Sequence, residues 1–532
     1  MSELNSKNSK KLSLFGFFTF TSAMVMSVYV YPTFATAGFS LVFFLVLGGI
    51  LWFIPVALCS AEMATVEGWK DGGIFTWISN TLGERWGFAG IFLQWFQITI
   101  GFIPMLYFIL GAFSYAFNWP ALNENPIIKF IAMLIVFWGV TFSQLGGTKW
   151  TVKIAKIGFI FGIVIPIILL IFLSGTYLLK GNPIDLNISL KTAFPNFKNI
   201  NTLVIFVSFL LSYVGIEASA THVNQMESPK RDYPIAVLML CGVAMLCNTV
   251  AGLSIGAVVP VDKLNLSTGV IQAFQYLFNY FSKGLNWAVV VISLILPLST
   301  IAKVSTWIVG PSEGIYLSAK KGLLPKIFTK VNEHNVPTPL IMVQGIVVSI
   351  WAAILTLGGK GNNLSFFISV SLTVAIYLAA YLIFFIAYFV LVFKHGDLKR
   401  AYQVPGGEIF KAIVAGIGFL TSLFALVISF FPPSQFNTQS EAKTYETILI
   451  ISFIIGVILP FIIYEFHSDK QYVIIKKIRN DKNEIYKLAN RNLEVIKEIA
   501  PTLEEKVGNE VKSIEYKIDK KHLKHHDEDN KY

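Results

Sequence analysis

Lys303 stands inside "VVVISLILPLSTIAKVSTWIVGP", Val289–Pro311, a run that is apolar for most of its length. Glu217 stands inside a second such run, "LLSYVGIEASATHVNQMESP", with Gly215, Ser219, Thr221 and His222 close by. A charged side chain at the middle of a bilayer costs about 2.5–3.5 kcal/mol, so such residues are read first as parts of a solute or ion path. A lysine there pairs either a carboxylate on a solute or an internal acid, and Glu217 is the internal candidate. Lys303 and Trp307 are four apart and share one helix face, as do Tyr377 and Tyr381 in "LTVAIYLAAYLIFF". Aromatic rings with polar tips, these and Tyr29, suit gating of a small polar solute and stacking on its charged group; ordinary helix packing is the other reading of each ring. His222 is a candidate pH sensor, because imidazole titrates near pH 6.5; a packing histidine is the alternative.

Motifs of covalent and metal chemistry do not accompany these charges. The chain has no Walker loop, no GxSxG and no HExxH, so an enzyme is not expected. No cofactor and no metal site are expected either. His522, His525 and His526 form the densest histidine cluster, in a polar basic tail that reads as a metal site or, more simply, as a solvated end. Cys59, Cys241 and Cys247 form no CxxC pair and read as packing thiols.

The elements that must position these residues are membrane helices. Of 532 residues 55% are hydrophobic and 14% charged, against roughly 25% charged in soluble proteins. The net charge of +11 therefore points to membrane topology rather than to nucleic acid, which is excluded as a partner. Apolar runs of about 20 residues fit helices crossing roughly 30 Å of hydrocarbon, not barrel strands. Twelve spans are expected, at 12–37, 40–62, 86–117, 126–145, 154–179, 202–226, 235–259, 284–310, 337–357, 364–393, 409–431 and 445–466. With the N-terminus inside, the loops on its side up to residue 465 carry 18 Lys and Arg and the opposite loops 8, which places both termini in the cytoplasm. The domains are then a cytoplasmic N-terminus at 1–11, a transporter domain at 12–466 and a charged cytoplasmic tail at 467–532. The first apolar run is too long for a cleavable signal. In the tail, apolar residues from Ile485 to Ile518 recur at helical steps around Pro501. It reads as a loosely packed tail or as a cytoplasmic plug or regulatory element.

The first span carries "TSAMVMSVYVYPTF" and the sixth carries Gly215 and Glu217. Small and polar residues at such depth suit a helix that unwinds and turns backbone groups to a cavity. Interruptions five helices apart fit a five-helix inverted repeat with the binding site between the two broken helices.

"PVALCSAEMATVEGWKDGGIFTWI", with Pro55, Ala61, Glu62, Gly72 and Gly73, resembles the second-helix signature of the amino acid–polyamine–organocation superfamily. "YPTFATAGFSLVFFLVLGGILWFIP", "GFIPMLYFILGAFSYAFNWPALNENP", "LSYVGIEASATHVNQM" and "STWIVGPSEG" resemble the bacterial glutamate/γ-aminobutyrate antiporters, over about residues 12–465. The resemblance implies an all-α fold of twelve helices with five-helix inverted repeats (the LeuT-like fold), broken in helices one and six. It implies substrate or gate positions at Tyr29, Glu217, Trp307, Tyr377 and Tyr381, and a lysine in place of a sodium ion at Lys156. Val25, Met26 and Ser27 form the stretch expected to unwind and offer N–H groups to a substrate carboxylate. Two positions depart from the family pattern as read here: Lys303 and Val30 stand where acidic residues are usual. Lys303 is therefore expected to tune which substrate charge the site accepts.

The function so implied is exchange of external glutamate for internal γ-aminobutyrate across the bacterial inner membrane in acid resistance, by alternating access. Its partners would be small-molecule amino acid substrates, the lipid bilayer and, functionally, an intracellular amino acid decarboxylase; the sequence leaves the oligomeric state open. A different exchange pair, a proton-coupled permease and an amino acid transceptor are the alternatives.

Overall fold

Hydrocarbon offers backbone groups no hydrogen-bond partner, so each apolar run closes its bonds internally as helix. The computed structural model describes residues 13–69, 73–146, 157–220, 223, 226–358, 361–436 and 438–466. Among them eleven helices, from Gly38–Ala64 to Gln439–Phe466, are long and apolar enough to cross a membrane. The first span is not one of the eleven because it is two short helices, Leu14–Val25 and Tyr31–Ala35. With it the spans number twelve, as the sequence predicts. The fold is all-α; the isolated bridge Val66–Arg400 is the extended pairing seen among the described residues.

Local chemistry accounts for both breaks. In the first span Met26 and Ser27 are extended, and the Ser27 hydroxyl donates to the Val25 carbonyl at 3.2 Å, a local bond that competes with helix. A short 3-10 turn, Val28–Val30, then leads into Tyr31–Ala35, where Pro32 sits in the first turn and needs no amide partner. The sixth span runs as Ile200–Leu203, Phe206–Leu211 and Ile216–Ala220. Its last break falls at Gly215, whose φ of 112° suits a residue without a Cβ.

The halves match five spans apart. The third and eighth spans, Glu84–Ala116 and Lys283–Lys320, are the counterparts in length, and each follows a short amphipathic helix, Ile74–Leu82 or Gly269–Phe281. Apolar-run counting misses both short helices, because neither is long or uniformly apolar. It also ends the eighth span at 310, whereas the helix continues through Pro311 to Lys320. Proline removes one backbone bond, which a packed membrane helix tolerates.

The third span is the centre of the bundle: 94% of its apolar window is buried, against 17% for the twelfth. Beside it the fifth and eighth spans touch backbone to backbone. Gly158 and Gly162 form a G-x-x-x-G face, and a Cβ on either would lie 2.7 Å from the Leu298 carbonyl oxygen or 2.5 Å from the Ser299 nitrogen.

Of the described residues, those up to Lys321 and Pro325–Phe461 form one packed unit; Gly322–Leu324 and the residues from Ile462 to Phe466 belong to a second. Gly72, Lys156, Thr221, His222 and the tail at 467–532 lie outside the described residues.

Candidate functional site

The predicted residues that are described fall into two buried clusters; Lys156 and His222 are not among them. In the first, Glu217 occupies the opening turn of the half-helix Ile216–Ala220 and is 1% exposed. Its Oε1 accepts from the Tyr377 hydroxyl and from Gln94 Nε2 at 3.1 Å; its Oε2 accepts from the Tyr381 hydroxyl at 2.5 Å. The two rings lie 4.7 Å apart, and Trp52 packs edge-on against Tyr381 at 4.9 Å. The third, sixth and tenth spans thus meet on one carboxylate. Every donor to it among the described residues is neutral.

The second cluster joins the first and eighth spans. Lys303 Nζ donates to the Val25 carbonyl at 3.2 Å and to the Ser27 hydroxyl. Val25 is the last residue of the first half-helix, so its carbonyl stands at the negative pole of that helix, where a cation is favoured. Lys303 is 7% exposed and Ser27 3%. This corrects one branch of the sequence reading: Lys303 holds the unwound stretch of the first span and does not pair with Glu217. The branch fails because sequence supplies the two charges but not the lysine's reach to a freed carbonyl. Met26, 5% exposed, continues the unwound stretch, and Tyr29, 1% exposed, lies in the turn that follows it. One helical turn beyond Lys303, Trp307 is 3% exposed, and its indole N–H finds no acceptor among the described residues. A buried indole N–H ordinarily has a partner, so this one is open to a ligand.

Sequence reasoning missed Gln94. Its signal was available: Gln94 and Gln97 are two amides in the apolar stretch "FLQWFQITI", three residues apart. An amide carries no charge, however, and attracts less notice than Glu217.

The arrangement can hold a ligand bearing both charges. The Glu217 carboxylate attracts an ammonium, Tyr377 and Tyr381 offer π faces to it, and the freed N–H groups at the start of a half-helix suit a carboxylate. A family model described as amino acid permease matches residues 12–458. The chain belongs to the amino acid permease family. As an amino acid permease it is a multi-pass membrane protein whose substrates are amino acids. A glutamate/γ-aminobutyrate antiporter of Lactococcus lactis subsp. cremoris is 56% identical to this permease over 470 residues, covering 88% of this chain and 93% of the relative. Its counterpart in Lactococcus lactis subsp. lactis is 55% identical over 475 residues, covering 89% and 94%. A more distant relative, an uncharacterised transporter of Legionella pneumophila, is 30% identical over 461 residues, covering 87% and 98%.

Proposed function

We propose that this permease exchanges external glutamate for internal γ-aminobutyrate. The observation that carries the reading is Glu217, a buried carboxylate at a helix break that is met only by neutral donors among the described residues. Both exchange partners bring an ammonium to meet it and a carboxylate for the opposite side of the site. Support also comes from two relatives more than half identical over most of the chain, which are themselves antiporters of this pair.

Lys303 sets the electrostatics of the first half-helix. Bacterial membrane exchangers of this architecture place a coupling cation on unwound carbonyls. Here the Lys303 ammonium stands on such a carbonyl, at Val25, so we assign it the place of a fixed cation and expect exchange without sodium. Rocking of the broken-helix bundle around the site then gives alternating access, and exchange is obligate where only the loaded carrier crosses readily.

The benefit to an acid-stressed cell follows from charge. Decarboxylation of glutamate inside the cell replaces a carboxylate with hydrogen and consumes one proton. The product leaves with one more positive charge than the substrate brought, so each turn removes a proton equivalent. In this reading the protein works in the inner membrane with both termini cytoplasmic, alongside an intracellular decarboxylase; the excess of Lys and Arg in the loops on the side of the termini supports the orientation.

The test is uptake of labelled glutamate into liposomes carrying the purified protein and preloaded with γ-aminobutyrate, glutamate or neither, at about pH 5.5 and about pH 7.5, either side of the imidazole reference value. Uptake only against a loaded partner, and unchanged by sodium, is expected. Equal uptake into empty liposomes would replace the antiporter with a uniporter or symporter.

A further inference from the structure

A groove of about 720 Å³ opens where the third and seventh spans end, at Tyr115 and Val258. It is lined by the amphipathic helix Gly269–Phe281, by the end of the seventh span and by the segment after the fifth. Asp185 and Lys263 both line it, both are exposed, and they form no ion pair with each other. To these opposite charges the lining adds the amide of Gln275 and the rings of Tyr276 and Tyr280.

The walls are fixed before any ligand arrives. Asp185 N–H donates to the Ala257 carbonyl at 3.1 Å, which ties the loop to the seventh span. Gln272 accepts from the Asn265 amide at 3.0 Å and donates to the Lys263 carbonyl at 3.2 Å. Asn182 donates to the Tyr280 hydroxyl at 2.7 Å, and the Tyr177 ring packs edge-on against Tyr280 at 4.9 Å. A pre-formed cavity of a few hundred cubic ångströms with convergent polar groups is the ordinary form of a small-molecule site.

We propose that this groove is a second binding site for a zwitterionic amino acid, separate from the Glu217 site, with Lys263 on the carboxylate and Asp185 with the tyrosine faces on the ammonium. Among the described residues the two charges form no ion pair, and they are complementary to one ligand that carries both. Its residues are distinct from those of the Glu217 site, so the proposal stands whether or not Glu217 binds substrate.

The test counts labelled glutamate bound at saturation per molecule of purified full-length protein. The variants are wild type, Glu217→Gln, Lys263→Gln and the double variant, with thermal unfolding as the check on folding. The expected counts are about two, one, one and zero, and Lys263→Arg restores the lost molecule. If Glu217→Gln keeps the wild-type count while Lys263→Gln lowers it by one, the groove stands and the reading of Glu217 falls. An unchanged count in Lys263→Gln, with Asp185→Asn equally silent, would overturn the groove. Both residues are exposed, so neither substitution disturbs packing.

Discussion

Glu62 and Glu217 are 0% and 1% exposed, yet the groups that meet them differ in kind. Glu62, near the end of the second span, accepts from Arg400 at 2.7 Å and from Lys411 at 2.6 Å. Its other oxygen accepts from the Tyr388 hydroxyl and the Val404 amide, each at 2.8 Å. The second, tenth and eleventh spans and the loop at 398–404 are clamped on that carboxylate, and its charge is more than neutralised inside the protein. Glu217 receives only neutral donors among the described residues: the Tyr377 and Tyr381 hydroxyls, the Gln94 amide and the backbone N–H groups of Gly215 and Glu217. A carboxylate whose charge is balanced internally fixes a structure. One that is hydrogen-bonded but not balanced is left to attract a cationic group from outside. On the proposed function, the difference separates a structural acid from a binding one without appeal to depth or burial, in which the two are alike.

Four substitutions break or sharpen that contrast. Glu62→Gln has the largest expected effect on folding, because it strands two buried cations. About 3–5 kcal/mol is lost when one partner of a buried pair is removed, and the readout is a lower melting temperature with less monodisperse protein in detergent. Glu217→Gln should leave melting nearly unchanged and reduce exchange roughly 30-fold or more, the equivalent of the ~2–5 kcal/mol of a lost buried charge contact. A fall in melting temperature as deep as that of Glu62→Gln would erase the distinction. Lys303→Glu reverses the charge on the first half-helix and should shift preference toward cationic amines, read as stronger inhibition of glutamate uptake by a diamine. Unchanged selectivity would remove Lys303 from the substrate's electrostatics. Tyr381→Phe takes away one hydrogen bond to a charged group, about 1.5 kcal/mol, so a rise in KM on the order of tenfold is expected, with kcat measured alongside.

Much of this was legible in the chain. A lysine and a glutamate in apolar runs, and tyrosines four residues apart, announce themselves by type and spacing. The breaks were legible because Gly215, Pro32 and the serines accumulate where a helix would otherwise run on. Gln94 stayed hidden because a neutral amide makes no contrast with its run. The partners of Glu62 stayed hidden for another reason: Arg400 and Lys411 are 338 and 349 residues away in sequence, and only folding brings them together. The attachment of Lys303 to Val25 and Ser27 was hidden in a third way, since the acceptor is a backbone carbonyl that exists only because the helix unwinds. The amphipathic helices Ile74–Leu82 and Gly269–Phe281 fell below the length at which an apolar run is noticed.

The central claim is that the charge of Glu217 serves the transported amino acid. Its most direct test is release of labelled γ-aminobutyrate from liposomes carrying wild type or Glu217→Gln at equal density, started by adding external glutamate. The account predicts release from the wild type and almost none from the variant, with both proteins melting alike. Release from Glu217→Gln at the wild-type rate would contradict it, and Glu217 would then join Glu62 among the acids that only hold the bundle together.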